Sequence, residues 1–201
     1  MPKGLYSRRD AAGTLLGYER FSCAPGPAGW RYTADLLAPD GVAVLGGVDV
    51  TVDDRWRVYR LELRLGGWTV RGGALGRHVT WVRSGGGEAG ERSAEAAGFT
   101  GDSPAFAVIT ARLLGLSPGG TSRLRLVRFT APALAARTVE EGWALTELVE
   151  HPAGTRPLPV ERYEVVDLAT AERHVVYLAG DVVLAAPGIE LEELDSPPTL
   201  G

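Results

Sequence analysis

Several things are scarce in this chain, and each scarcity closes off a class of function. Cys23 is the single cysteine, which excludes an internal disulfide and a cysteine-rich metal knuckle. Lys3 is the single lysine among 21 basic residues, so nearly all positive charge is arginine, suited to bidentate contacts with carboxylate or phosphate. No apolar run approaches the roughly 18 residues that would signal a membrane-spanning helix. The N-terminal stretch Met-Pro-Lys-Gly-Leu-Tyr-Ser-Arg-Arg-Asp lacks the apolar centre of a secretion signal, and a cytoplasmic location is expected. The three histidines, His78, His151 and His174, are far apart and show no zinc-ligand spacing. Asp49, Asp53 and Asp54 lack the flanking ligands of a calcium loop. Neither Ser84-Gly85-Gly86-Gly87 nor Ser117-Pro118-Gly119-Gly120 has the lysine of a phosphate-cradling loop, and no Gly-x-Ser-x-Gly elbow surrounds Ser103. No cofactor and no metal are expected.

What remains is a mildly acidic chain of 201 residues, with 25 acids against 21 bases and a net charge of −4. No basic stripe supports nucleic-acid binding. The 45% hydrophobic content is enough for one full core, so residues 1–201 are read as a single domain with its core over about 15–188.

The dominant pattern has period two. Trp30, Tyr32, Ala34 and Leu36 alternate with Arg31, Thr33 and Asp35, a half-buried strand followed by the turn Pro39-Asp40-Gly41. Strands are also predicted over 42–52, 55–65, 68–71, 78–83, 121–130, 137–150, 160–168 and 172–183. Gly46-Gly47 suggests a bulge or a close backbone approach, and Gly66-Gly67 a hairpin. In the 55–65 strand Tyr59, Leu61, Leu63 and Leu65 share one face. Residues 84–97, rich in glycine and charge, read as a mobile loop, and 189–201 as an acidic solvated tail.

One segment breaks the pattern. Phe106, Ile109, Leu113 and Leu116 follow a helical period over 104–116, with Ser103 as cap, Pro104 in the first turn and Gly115 at the end. Arg112 is its one charge, so burial is expected. The predicted fold is mainly β (α+β): a strongly curved antiparallel sheet wrapped around a central helix, as a clam or incomplete barrel. Leu61, Leu63, Phe106, Ile109, Leu113 and Tyr163 are the first core choices.

Five landmarks carry a family resemblance. They are Asp54-Arg55-Trp56-Arg57-Val58, Gly66-Gly67-Trp68, the stretch from Thr100 to Phe106, Arg162-Tyr163-Glu164-Val165, and Val175 to Val183. Their order resembles the glycolipid-binding family of bacterial proteins, whose fold is similar to the lipoprotein-carrier clam. The resemblance implies a pocket for a lipid or glycolipid.

The leading functional expectation is noncatalytic binding of a small amphipathic or hydrophobic ligand, such as a lipid, glycolipid or metabolite. Trp56, Trp81 and Trp143 would supply apolar contact, and Arg60 or Arg125 would hold an anionic head group. An alternative is a cofactor-independent isomerase or cyclase of specialised metabolism, with Glu62 or Glu164 moving the proton. A second alternative is a protein-interaction module that recruits a conditional partner through the 84–97 loop. The oligomeric state is left open.

Overall fold

Apolar-polar alternation sets up most of the elements in the computed structural model, which describes residues 1–26, 29–152 and 157–200. Fifteen strands form: β1 (Lys3–Arg9), β2 (Leu15–Gly26), β3 (Gly29–Leu37), β4 (Val44–Val52), β5 (Val58–Leu65), β6 (Trp68–Leu75), β7 (His78–Gly85), β8 (Glu88–Glu95), β9 (Gly98–Thr100), β10 (Thr121–Thr130), β11 (Ala135–His151), β12 (Leu158–Asp167), β13 (Arg173–Ala179), β14 (Val182–Ala186) and β15 (Ile189–Leu194). Among the described residues one helix, α1 (Pro104–Leu114), interrupts them.

The strands make one sheet in the order β8-β7-β6-β5-β4-β3-β2-β1-β15-β14-β13-β12-β11-β10-β9. Every pair is antiparallel except β9 with β10. The two ends of the chain therefore meet in the middle of the sheet, where β1 pairs with β15.

This order corrects the expected architecture. The sheet is open, with β8 and β9 at its edges and no ladder joining them, so the strongly curved clam or incomplete barrel wrapped around a helix is not formed. Two local causes are visible. β9 has three residues, too few to carry a long ladder, and β8 presents exposed Glu88, Glu91, Arg92 and Glu95, which discourage further strand addition. The expected mobile loop at 84–97 thus contains an edge strand, paired with β7 from Gly85↔Glu88 to His78↔Glu95. The expected tail likewise contains β15, while the predicted 172–183 strand is a hairpin turning at Gly180-Asp181.

In β3 Trp30, Tyr32, Ala34 and Leu36 are buried and Arg31 and Asp35 exposed, as the alternation requires. β5 departs from strict period two. Val52 pairs with Val58 and Thr51 with Arg60, so Tyr59 bulges out and is exposed while Val58 and Leu61 both face the core. Gly46 marks the predicted close approach: a Cβ there would sit 2.0 Å from the Arg64 carbonyl oxygen.

Helix α1 is buried from Pro104 to Ala111 except at Ala107. Ser103 caps it and Gly115, at φ 53°, ends it in the left-handed conformation that favours glycine. The single charge, Arg112, is neutralised by a bidentate pair with Glu161 of β12 and donates to the Gly180 carbonyl at 2.6 Å. Ile109 is fully in the core, whereas Leu113 is half-buried. No helix among the described residues is long and apolar enough to cross a membrane.

Candidate functional site

The buried face of β1, β2 and β3 carries aromatic side chains and one acid. Tyr6 stacks on Phe21 at 4.7 Å and Phe21 on Tyr32 at 5.6 Å. In β2 the buried parity runs Gly17, Glu19, Phe21, Cys23, so a carboxyl group occupies a core position. Glu19 is fully buried. Its Oε1 accepts from the Tyr32 hydroxyl at 2.8 Å and the Ser103 hydroxyl at 2.5 Å. Its Oε2 is buried with no hydrogen-bond partner among the described residues. Burial, the dominant influence, raises the Glu19 pKa above the usual carboxylate value, although Ser103, Arg8 and Tyr32 each pull it down.

Ser103 joins this acid to α1. Its hydroxyl oxygen accepts from the Ala105 N–H at 3.4 Å, and its carbonyl accepts from the Phe106 N–H at 3.2 Å. Pro104 has no N–H to offer. The Ala105 and Phe106 donors at the start of the helix are therefore occupied, which leaves side chains as the readier means of holding an anion nearby.

Arg8, at the end of β1, is the side chain placed for that. Its side chain is 19% exposed, yet its nearest acid is Asp102 at 3.9 Å, and the guanidinium makes no hydrogen bond among the described residues. A guanidinium carries five donors, so most of its capacity is unused. Arg8 lies in a wall, shared with Gly101, Asp102 and Ser103, between two recesses. One is a cavity of about 420 Å³ whose sides include Leu16, Arg128, Trp143, His174, Val176 and Ile189. The other is an apolar crevice of about 40 Å³, bounded by Leu36, Leu63, Phe106 and Phe129, with Glu19 in its lining.

The larger cavity has a fixed polar wall. Arg128 of β10 pairs with Glu141 of β11 at 2.8 Å, and the Trp143 indole N–H donates to the other Glu141 oxygen at 2.9 Å. Trp143 packs edge-on against Tyr163 at 5.7 Å. Burial lowers the His174 pKa, so its imidazole is neutral near neutral pH.

Of the residues singled out from sequence, Trp143 is the one in this cavity. Trp81 is buried, edge-on to Phe129 at 6.0 Å, with its indole N–H unpartnered among the described residues. Trp56, at φ 61°, tilts against Trp30 at 5.4 Å. Arg60 faces solvent 3.6 Å from Asp49. Arg125 faces solvent paired with Glu140 at 2.6 Å, beside a separate hollow of about 520 Å³. Glu62 pairs with Arg71 at 3.0 Å, and Glu164 with Arg162 at 2.9 Å. These side chains do not converge. Arg8, Glu19 and Ser103, which do, are not marked as site residues by any sequence motif. For Glu19 a signal exists, since it shares parity with Phe21 and Cys23.

No protein-family model matches the chain and no curated protein matches it. Among solved structures, the chain is similar to the crystal structure of a DUF1089 family protein from Pseudomonas aeruginosa. The TM-score is 0.53 at 17% identity, covering 94% of this chain and 91% of that one. At that identity the likeness speaks for the fold alone. It also corrects the family resemblance drawn from the landmarks: the match is a distant one to DUF1089, and the open sheet lacks the clam on which the glycolipid-binding reading rested.

Proposed function

We propose that this protein binds, without transforming it, a small amphipathic ligand that carries an anionic group. The observation behind this reading is Arg8, with its donors unused and situated between two recesses. The guanidinium is half-buried at the edge of both recesses, and an anionic ligand would take up its donors, which no acceptor among the described residues uses, in a charge-assisted pair. The size of the cavity sets the ligand class. About 420 Å³ is within the usual range for small-molecule sites, and its Leu16, Trp143, Val176 and Ile189 surfaces suit an apolar body. A crevice of about 40 Å³ has room for a compact group alone, so the apolar body belongs in the larger cavity.

The catalytic alternative draws little support, because Glu62 and Glu164 are engaged in ion pairs away from the cavity. A cytoplasmic setting belongs to the proposal, and fractionation of the producing cells checks it.

Native mass spectrometry of protein from its producing cells, paired with an Arg8→Gln variant, tests the reading. The expected result is a small noncovalent adduct on the parent protein that is missing from the variant. A bare mass for the parent protein, together with no saturable binding of short-chain carboxylates such as hexanoate, would overturn it.

A further inference from the structure

A ligand-binding role for Glu19 rests on the anion-binding reading of Arg8 and deepens it. Two hydroxyl donors converge on Oε1, from Tyr32 and Ser103, while Oε2 has no partner among the described residues. That asymmetry fits a neutral carboxylic acid, with Oε1 as the carbonyl oxygen and the proton on Oε2. The ionised alternative would leave a charged oxygen buried without any donor, which is strongly unfavourable. The acid lines the crevice that Arg8 also lines. A volume of about 40 Å³ is roughly three times the 10–15 Å³ of such space that one water needs, so the crevice suits one compact polar group.

We infer that the crevice receives the carboxylate of the ligand, held by the Arg8 guanidinium on one side and by a hydrogen bond donated from protonated Glu19 Oε2 on the other. The body of the ligand then extends past Ser103 into the larger cavity toward Trp143. Arg8 supplies the charge and Glu19 the specificity: the acid O–H requires an acceptor, so a cationic or purely apolar group is rejected. Because only the protonated acid can donate, binding is linked to a proton.

The groups facing Glu19 set where that linkage falls. Arg8 and Tyr6 face it from β1, Tyr32 from β3, and Asp102 and Ser103 from the segment before α1, while Arg64 of β5 lines the same crevice. Arg8 and the hydroxyls of Ser103 and Tyr32 favour the ionised form; burial outweighs them and Asp102 adds to burial. Burial also pushes the Tyr6 and Tyr32 phenols up, which keeps both neutral.

Calorimetric titration of the full chain with hexanoate, at about pH 5.5 and about pH 8.5, reads the linkage, since hexanoate is an anion at both. The expected result for the parent protein is affinity falling by up to tenfold per pH unit once Glu19 begins to ionise. Glu19→Gln places an amide donor where the acid O–H was, so it should bind at both pH values with that dependence removed. Tyr32→Phe withdraws a donor that stabilises the ionised form, so the fall should move to higher pH. Infrared spectra give a readout independent of any ligand and of how well the variants bind. A protonated-carboxyl band should persist at neutral pH in the parent protein and vanish in Glu19→Gln. Absence of that band, or a pH dependence that survives in Glu19→Gln, overturns the role of Glu19 while leaving Arg8-dependent binding intact. Failure of hexanoate to bind the parent protein at either pH overturns the anion site itself.

Discussion

A single proton on Glu19 also carries a consequence for stability. The folded protein retains it at pH values where the unfolded chain has released it, because burial raises the folded pKa. In that window the native state binds more protons than the unfolded state, so stability declines as pH rises. The decline begins near the ordinary glutamate value and continues up to the raised folded value, with a slope of at most about 1.4 kcal/mol per pH unit. Urea unfolding across that range should show the decline in the parent protein and a flatter profile in Glu19→Gln; parallel profiles would show Glu19 to be ionised in the fold. This part of the site is only partly legible in sequence. Glu19 shares parity with Phe21 and Cys23, but Tyr18, Arg20 and Ser22 on the other face blur the contrast. Arg8 is less legible still, because Ser7-Arg8-Arg9-Asp10 has the composition of a solvated terminus, and it is flanked on both sides by strands only once β1 pairs with β2 and with the distant β15.

Among the elements, α1 is the most readable, since its cap, its proline, its apolar period and its terminating glycine all agree. Its burial nevertheless grades along its length, and substitutions should follow that grade. Ile109→Ala, in the core, is expected to cost about 2–5 kcal/mol, and Leu113→Ala, half-buried, clearly less. Chemical denaturation of the two variants checks this, and equal losses would mean the C-terminal turn is packed as tightly as the middle. Ser103→Ala should cost about 1 kcal/mol as a lost cap, and more if the hydroxyl bond to Glu19 contributes. The edge strand β8 is the least readable element. Its run Glu-Ala-Gly-Glu-Arg-Ser-Ala-Glu buries little beyond part of Ala94, so no hydrophobic period announces a strand, and its backbone pairing with β7 does most to order it. Removing residues 88–95 would strip β7 of that charged neighbour and leave the alternating strand Val79-Thr80-Trp81-Val82 as an open edge. Size-exclusion chromatography of the deletion should show self-association, and a profile unchanged from the parent protein would show that β7 tolerates exposure.

At the scale of the molecule, the site depends on a seam between the two halves of the chain. Arg8 and Glu19 come from the N-terminal run β1–β8; Ser103, Arg128, Trp143 and His174 come from the other side. What joins them is the β1–β15 ladder, a hydrophobic core shared by both halves, as at Trp81 and Phe129, and several side-chain bonds. Pairing between chain ends cannot be read from local periodicity, which is why the sheet order is hidden in the sequence while several of its strands are not. Asp181 is the most connected of those bonds. It is buried and accepts from the Trp30 indole N–H at 3.2 Å and from the Thr199 backbone N–H at 2.7 Å, with the Cys23 thiol 3.6 Å away. Nearby, the Val183 N–H donates to the Tyr6 hydroxyl at 3.2 Å. Asp181→Ala leaves the buried Trp30 indole N–H without its acceptor, at a cost of about 1–3 kcal/mol, and the part-buried Thr199 N–H at less, whereas Asp181→Asn keeps an acceptor and should cost less. If the seam also assembles the site, Asp181→Ala should weaken hexanoate binding although Asp181 lines neither recess, and it should do so at temperatures where circular dichroism still reports folded strands. Monitoring unfolding by tryptophan fluorescence and by circular dichroism together separates the possibilities. Coincident transitions at lower denaturant would mean the sheet loosens as one unit, and a separate early fluorescence change would place the weakness at the Trp30–Asp181 contact itself.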